Sequence, residues 1–254
     1  MRNKLVLLLI LLLVSVYPAQ AQTSQEIIDR YIEKTGGVEK WLALKGIKTS
    51  AIIYEHSMEI PYTRVALKDG RQILKFNLDG KEVVQMAFDG REAWNTNFIS
   101  LEAEKSDYEI SENVKREIKN FPNPLLHISA LGYELEYIGV VDDDKSTLLS
   151  IKVTLSSKLV DGNEVENVRT YFFDSKTDLL VAKESEIRSG NMKGKINRTT
   201  YSDYKMVDGL MFAFLHTIGF DGEESRKIIF SSIELNPQVS DELFKFPDVN
   251  MPKK

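Results

Sequence analysis

The sequence predicts a mainly β, α+β chain: a curled antiparallel sheet, partly rolled into a barrel, with helices over its open concave face. Three observations carry this. Apolar residues recur with a period of two over most of the chain, Asp-Gly dipeptides punctuate the runs, and one charged amphipathic helix interrupts them midway. About a dozen strands is more than an open twisted sheet holds without curling.

The first residues are expected to be removed. Arg2 and Lys4 precede an apolar run over 5–16, and Ala19-Gln20-Ala21 offers small residues at a cleavage point. That run is short of the roughly 20 residues a bilayer span needs, so residues 1–21 read as a signal peptide. Residues 22–254 read as one domain, since no Pro-, Gly- or Ser-rich linker, repeat or low-complexity tract divides them. Cysteine is absent, which excludes disulfides, thiolate ligands and a lipid-modified cysteine. Export of such a chain points to a bacterial periplasm. The formal charge of −5 becomes about −7 without the leader. Without a basic run, nucleic acid and adsorption to anionic headgroups are poor fits. No later stretch is long enough to span a membrane.

Ile27, Ile28, Tyr31 and Ile32 share one face of a helix that Ser24 can cap and Thr35-Gly36-Gly37 stops. A short helical turn over 38–44 follows. Strands are expected at 47–54, 62–67, 71–78, 82–88 and 92–97. Asp69-Gly70, Asp79-Gly80 and Asp89-Gly90 lie between them, so neighbours pair antiparallel as a meander. Residues 108–121 read as a helix with Ile110, Val114 and Ile118 on one face, ended by Pro122 and Pro124. Residues 125–131 could add a helical turn. Strands resume at 133–140, 147–155, 164–173, 179–187, 195–204, 211–219 and 226–235.

Catalytic signatures are weak. His56, His127 and His216 have no metal-ligand spacing, and neither HExxH nor GxSxG occurs. Ser202 and Lys205 match SxxK, but on a strand end rather than a helix start. The Gly190–Lys195 stretch is one residue short of a P-loop and better read as a turn. Asp142-Asp143-Asp144 reads as a solvated loop. No catalytic residue, metal site or cofactor is expected. Apolar surface is the stronger signal: Leu148, Leu149, Ile151, Val153 and Leu155, and then Tyr171, Phe172 and Phe173, leave strands apolar on both faces. Either helices cover one face or the concave face encloses an apolar ligand.

Phe88-Asp89-Gly90-Arg91-Glu92-Ala93-Trp94 resembles a segment of the periplasmic outer-membrane lipoprotein-sorting and carrier family, the LolA-like superfamily. Thr35-Gly36-Gly37 with Lys45-Gly46-Ile47-Lys48, the Tyr171–Leu180 run, Tyr201-Ser202-Asp203-Tyr204-Lys205, and Ile233-Glu234-Leu235-Asn236-Pro237 extend the likeness over nearly the whole chain after the leader. The resemblance implies an unclosed β-barrel whose mouth holds helices as a lid, over an apolar cavity for acyl chains. Ile110, Val114 and Ile118 would then be lid residues. Phe76, Trp94, Phe98, Phe172 and Phe230 are candidate cavity residues, taken for size and strand position. The family's lid-latching arginine has no counterpart in an Arg-Pro context; Arg64 and Lys68 are the nearest basic positions.

The expected function is that of a monomeric, non-enzymatic carrier of acylated lipoprotein or lipid towards the outer membrane, with envelope proteins as donor and acceptor. The alternative is a sensing module that uses the same cavity to report envelope lipids or stress to a protein partner. An enzyme would need titratable groups converging in the cavity.

Overall fold

Turn chemistry sets most of the strand pairing. At Asp79-Gly80, Asp161-Gly162, Asp208-Gly209 and Asp221-Gly222 both residues have positive φ, the two-residue turn that joins strands without splaying them. At 69–70 and 89–90 only the glycine does, and those connections are longer.

The structure is a computed structural model describing residues 23–143 and 146–247; the expected signal peptide and Asp144 lie outside the described residues. Helices α1 (Ser24–Lys34) and α2 (Val38–Leu42) precede β1 (Gly46–Glu55), β2 (Met58–Leu67), β3 (Gln72–Leu78), β4 (Lys81–Phe88), β5 (Ala93–Thr96) and β6 (Ala103–Lys105). Then come α3 (Tyr108–Glu117), 3-10 turns at Ile118–Asn120 and Pro124–His127, and α4 (Ile128–Leu131). The second strand set is β7 (Glu134–Asp143), β8 (Ser146–Val160), β9 (Asn163–Asp174), β10 (Leu180–Glu186), β11 (Ile196–Val207), β12 (Leu210–Phe220) and β13 (Glu223–Leu235).

All thirteen strands form one antiparallel sheet in the order β6-β5-β4-β3-β2-β1-β13-β12-β11-β10-β9-β8-β7. The two meanders join where β1 pairs with β13, Ile47 opposite Leu235. Strands β6 and β7 are the free edges, so the sheet is an unclosed barrel. They are also consecutive in sequence. The chain between them, residues 106–133, must therefore travel from one edge of the sheet to the other.

The short strand β6 escapes the period-two reading because Ala103-Glu104-Lys105 has no apolar alternation. Thr23, rather than Ser24, caps α1. Its hydroxyl accepts from the Glu26 amide (3.2 Å) and the Glu26 carboxylate accepts from the Thr23 amide (2.9 Å), a reciprocal box that needs Glu three residues after the cap. Residues 108–121 are helical only to Glu117 and tighten to a 3-10 turn before the cis Phe121–Pro122 bond.

Separate buried clusters account for the apolar strand faces, the outer one of β8–β10 formed by Leu148, Phe172 and Ala182. On the concave face, Ile27, Ile28, Tyr31 and Ile32 of α1 pack on Leu149, Ile151, Val153, Tyr171 and Phe173, with Leu125 and Ile128 beside them. Each such buried side chain contributes roughly 1.5–3 kcal/mol. The α1–α2 turn lies so close to the β11–β12 turn that a Cβ on Gly36 would sit 2.5 Å from the Gly209 carbonyl. On the opposite face of the first meander, Val65, Ile73, Ala87 and Trp94 are capped by Phe244 and Phe246 from the C-terminal segment.

Candidate ligand-binding site

The crossing segment is fastened at both sides of the mouth. The Ser111 hydroxyl of α3 accepts from the Ala93 amide of β5, while Asn113 exchanges two 2.8 Å hydrogen bonds with the backbone of Leu159 in β8. Arg116 meets Glu164 through two hydrogen bonds (2.7 and 2.8 Å). Glu117 accepts from Arg169 at 2.7 Å and Asn167 at 3.1 Å, both on β9. Ile118 lies against Gly70, where φ of 96° and the absence of a Cβ make room for it. Of the expected lid residues, Ile118 and Val114 are half-buried and Ile110 is 44% exposed.

Beneath this crossing the concave face holds a cavity of about 380 Å³. Tyr31 of α1, Trp41 of α2 and Pro122, Asn123 and Pro124 of the crossing overhang it; β1, β2 and β9–β13 form its floor. An aromatic stripe runs over that floor. Ring centroids are 4.8 Å apart for Tyr201–His216, 4.7 Å for His216–Phe230, 6.5 Å for Phe230–Tyr62 and 6.1 Å for Tyr62–Phe76. Ala51 of β1 stands opposite both Phe230 and Tyr62 in register, and its small side chain lets the two rings meet across it. Ile47, Ile228 and Ile233 complete an aliphatic flank. A larger surface furrow of about 640 Å³ lies between Gly90–Ala93 and α3, bordered by Glu92, Lys105 and Lys115.

The floor is also charged. Arg169, Lys183 and Arg64 line it, with no carboxylate among the lining residues. Lys183 stands opposite Tyr171 on one side and Thr199 on the other, which puts it on the concave face beside Tyr201. Burial and the neighbouring Arg169 charge pull its ammonium down to about 8. Burial, aided by Lys183, takes the His216 imidazole down to about 4, so it is neutral near pH 7. Burial raises the phenols of Tyr31, Tyr171, Tyr201 and Tyr204, leaving them uncharged hydrogen-bonding groups.

The structure separates the five candidate cavity residues. Phe230 lines the cavity, and Phe76 continues the stripe through Tyr62. Trp94 belongs to the opposite core, its Nε1 donating to the Phe244 carbonyl at 2.8 Å. Phe172 is on that outer face too, packed with Leu148 and Ala182 beneath the Arg198 guanidinium, because its neighbours Tyr171 and Phe173 take the inner positions. Phe98 is 52% exposed in the β5–β6 connection. Lys68 donates to the Leu42 carbonyl at the end of α2, whereas Arg64 borders both the cavity and the gap beneath residues 117–124. Sequence reasoning passed over Arg169, Lys183, Tyr201 and His216 as site residues. The signal available was Lys183 directly after the apolar run from Leu179 to Ala182.

These features define a class: an unclosed antiparallel barrel with a helical crossing over a concave cavity. This is the LolA-like fold. It is shared with a LolA superfamily protein from Nitrosomonas europaea (10% identity, 89% of this chain and 98% of that one, TM-score 0.53). A putative outer membrane lipoprotein-sorting protein domain from Vibrio parahaemolyticus is similar (8% identity, 87% and 95% covered, TM-score 0.51). So is a DUF1329 family protein from Desulfovibrio piger (12% identity, 86% and 95% covered, TM-score 0.53). No family model matches the sequence, and no curated protein sequence matches it. Identities this low establish a common fold.

Proposed function

We propose that the protein is an exported periplasmic carrier that shelters an acyl chain of a lipid or lipoprotein in the concave cavity. The cavity itself carries this reading: about 380 Å³ over an aromatic and aliphatic stripe, on the concave face of the sheet. That volume is within the usual range for small-ligand pockets, and each buried CH₂ contributes about 0.8 kcal/mol. Phe230 and Phe76 are the proposed tail contacts. The crossing segment acts as the lid, and delivery towards the outer membrane is the proposed task. Among the described residues no helix is long and apolar enough to cross a membrane.

Native mass spectrometry of protein purified from a periplasm, followed by lipid extraction, tests the reading. A near-stoichiometric acylated species, lost in Phe230→Asp, is the expected result. An empty mass together with no uptake of an offered lipid or lipoprotein would sink it.

A second reading, a sensing module acting through a protein partner, is favoured by the free edge strand β7, where Tyr137, Ile138, Val140 and Val141 are all exposed. A partner captured through β7 and lost in Ile138→Lys would favour it; unchanged capture in that variant would remove β7 as the docking edge.

A further inference from the structure

We propose that the ligand is an anionic amphiphile, whose acidic headgroup binds between Lys183 and Arg169 while its tail follows the stripe from His216 through Phe230 to Tyr62. This rests on the reading of the cavity as a lipid-binding site and adds to it the chemistry of the headgroup.

The geometry carries the argument. Lys183 stands opposite Tyr171 across β9–β10, so Arg169, two residues before Tyr171, is its diagonal neighbour on the same face. The backbones of such neighbours lie roughly 7–8 Å apart, so one carboxylate or phosphate is within reach of both side chains. Arg169 already shares its charge with Glu117, but the Lys183 ammonium has no hydrogen bond or ion pair among the described residues. A charge held out of water without a hydrogen-bonded partner is costly, and the Glu117 carboxylate that acts on it is already bound to Arg169. An incoming anion would supply that partner. The hydroxyls of Tyr201 and Tyr204 border the same floor, although Tyr204 already donates to the Leu180 carbonyl at 2.7 Å. The stripe begins at Tyr201 and His216, next to this cationic end, so head and tail sites are continuous.

The titratable groups facing Lys183 are Arg169 and Tyr171 from β9, Tyr201 from β11, His216 from β12, Tyr31 from α1 and Glu117 from α3. Between pH 6.5 and 9.5 His216 stays neutral and the raised tyrosines stay protonated, so Lys183 is the group that titrates. Anion preference should be full below about 8 and fade as pH rises through that value.

Calorimetry on the purified protein tests this with hexadecanoate, hexadecyl phosphate and uncharged hexadecanol, each below its aggregation limit. Both anions are expected to bind about tenfold tighter than the alcohol at pH 7, ~1.4 kcal/mol, and to lose most of that advantage at pH 9.5. Lys183→Met should abolish the advantage of the anions over hexadecanol, and Lys183→Arg should retain it. Tighter binding of hexadecyl phosphate supports the proposal with a phospholipid-type head; tighter hexadecanoate supports it with a free fatty acid. Equal binding of alcohol and anions, or an advantage that survives Lys183→Met, overturns the headgroup site and leaves the carrier reading standing. Binding of none of the three overturns both.

Discussion

Glu117 of α3 accepts a 2.7 Å hydrogen bond from Arg169 of β9, so the crossing helix is tied by a charged pair to a side chain that also faces the cavity. The Glu117 side chain is 39% exposed and that of Arg169 is 21% exposed. The pair is wet enough that its worth to stability is small, below about 1 kcal/mol. Its position gives it a larger part in ligand exchange. Glu117→Gln should speed release of a bound acyl probe several-fold in stopped-flow measurements, with little change in the urea midpoint. An unchanged release rate would mean the crossing does not gate the cavity.

The stripe makes a second prediction. Phe230 is half-buried and touches both His216 and Tyr62, so its ring faces the cavity more than it supports the core. Phe230→Asp should weaken binding of an uncharged long-chain alcohol at least about tenfold by placing a charge on the tail path. Its cost in stability should stay below that of a fully buried aromatic.

The two tryptophans separate the two cores. Trp41 overhangs the cavity, packed edge-on to Phe212 at 5.0 Å, while Trp94 is sealed against Phe244 and Phe246 on the other face. Ligand addition should change tryptophan emission in Trp94→Phe and leave it unchanged in Trp41→Phe.

Phe244 is fully buried and closes the outer core, with the Arg71 guanidinium 5.4 Å from its ring centroid. Phe244→Ala should cost about 3–4 kcal/mol in denaturant unfolding. Ligand affinity should persist, because that core lies across the sheet from the cavity.

His216 makes stability depend on pH. Its folded value of about 4 lies below the ordinary imidazole value, so the unfolded chain takes up the proton first as pH falls. The contribution is full above about 6.5, declines as pH drops towards 4 and is gone below it. For a half-buried ring this amounts to about 1–2 kcal/mol. His216→Gln should flatten the unfolding free energy between pH 4 and 6.5 by that amount.

Local chemistry determined a great deal by itself. Asp-Gly pairs fixed antiparallel hairpins, the helical spacing of Ile110, Val114 and Ile118 marked the crossing, and strands beyond a dozen required curling. A two-residue period, however, names two faces without saying which is inner. Because α1 packs on one face of β8 and β9 while Leu148, Phe172 and Ala182 pack together on the other, both faces of those strands are apolar, and Phe172 looked as eligible as Phe230. Trp94 did so because the 239–246 segment covers the outer face of the first meander. Only the tertiary structure decided among them, through the pairing of β1 with β13 across some 180 residues. That pairing joins the two meanders into one sheet and makes β6 and β7 the free edges. Within the second meander, the successive pairings of β9 to β12 bring Arg169, Lys183 and His216 together from three strands. Their meeting depends on the register of those hairpins, including the shift between Leu180 and Ala182, which alternation alone does not encode.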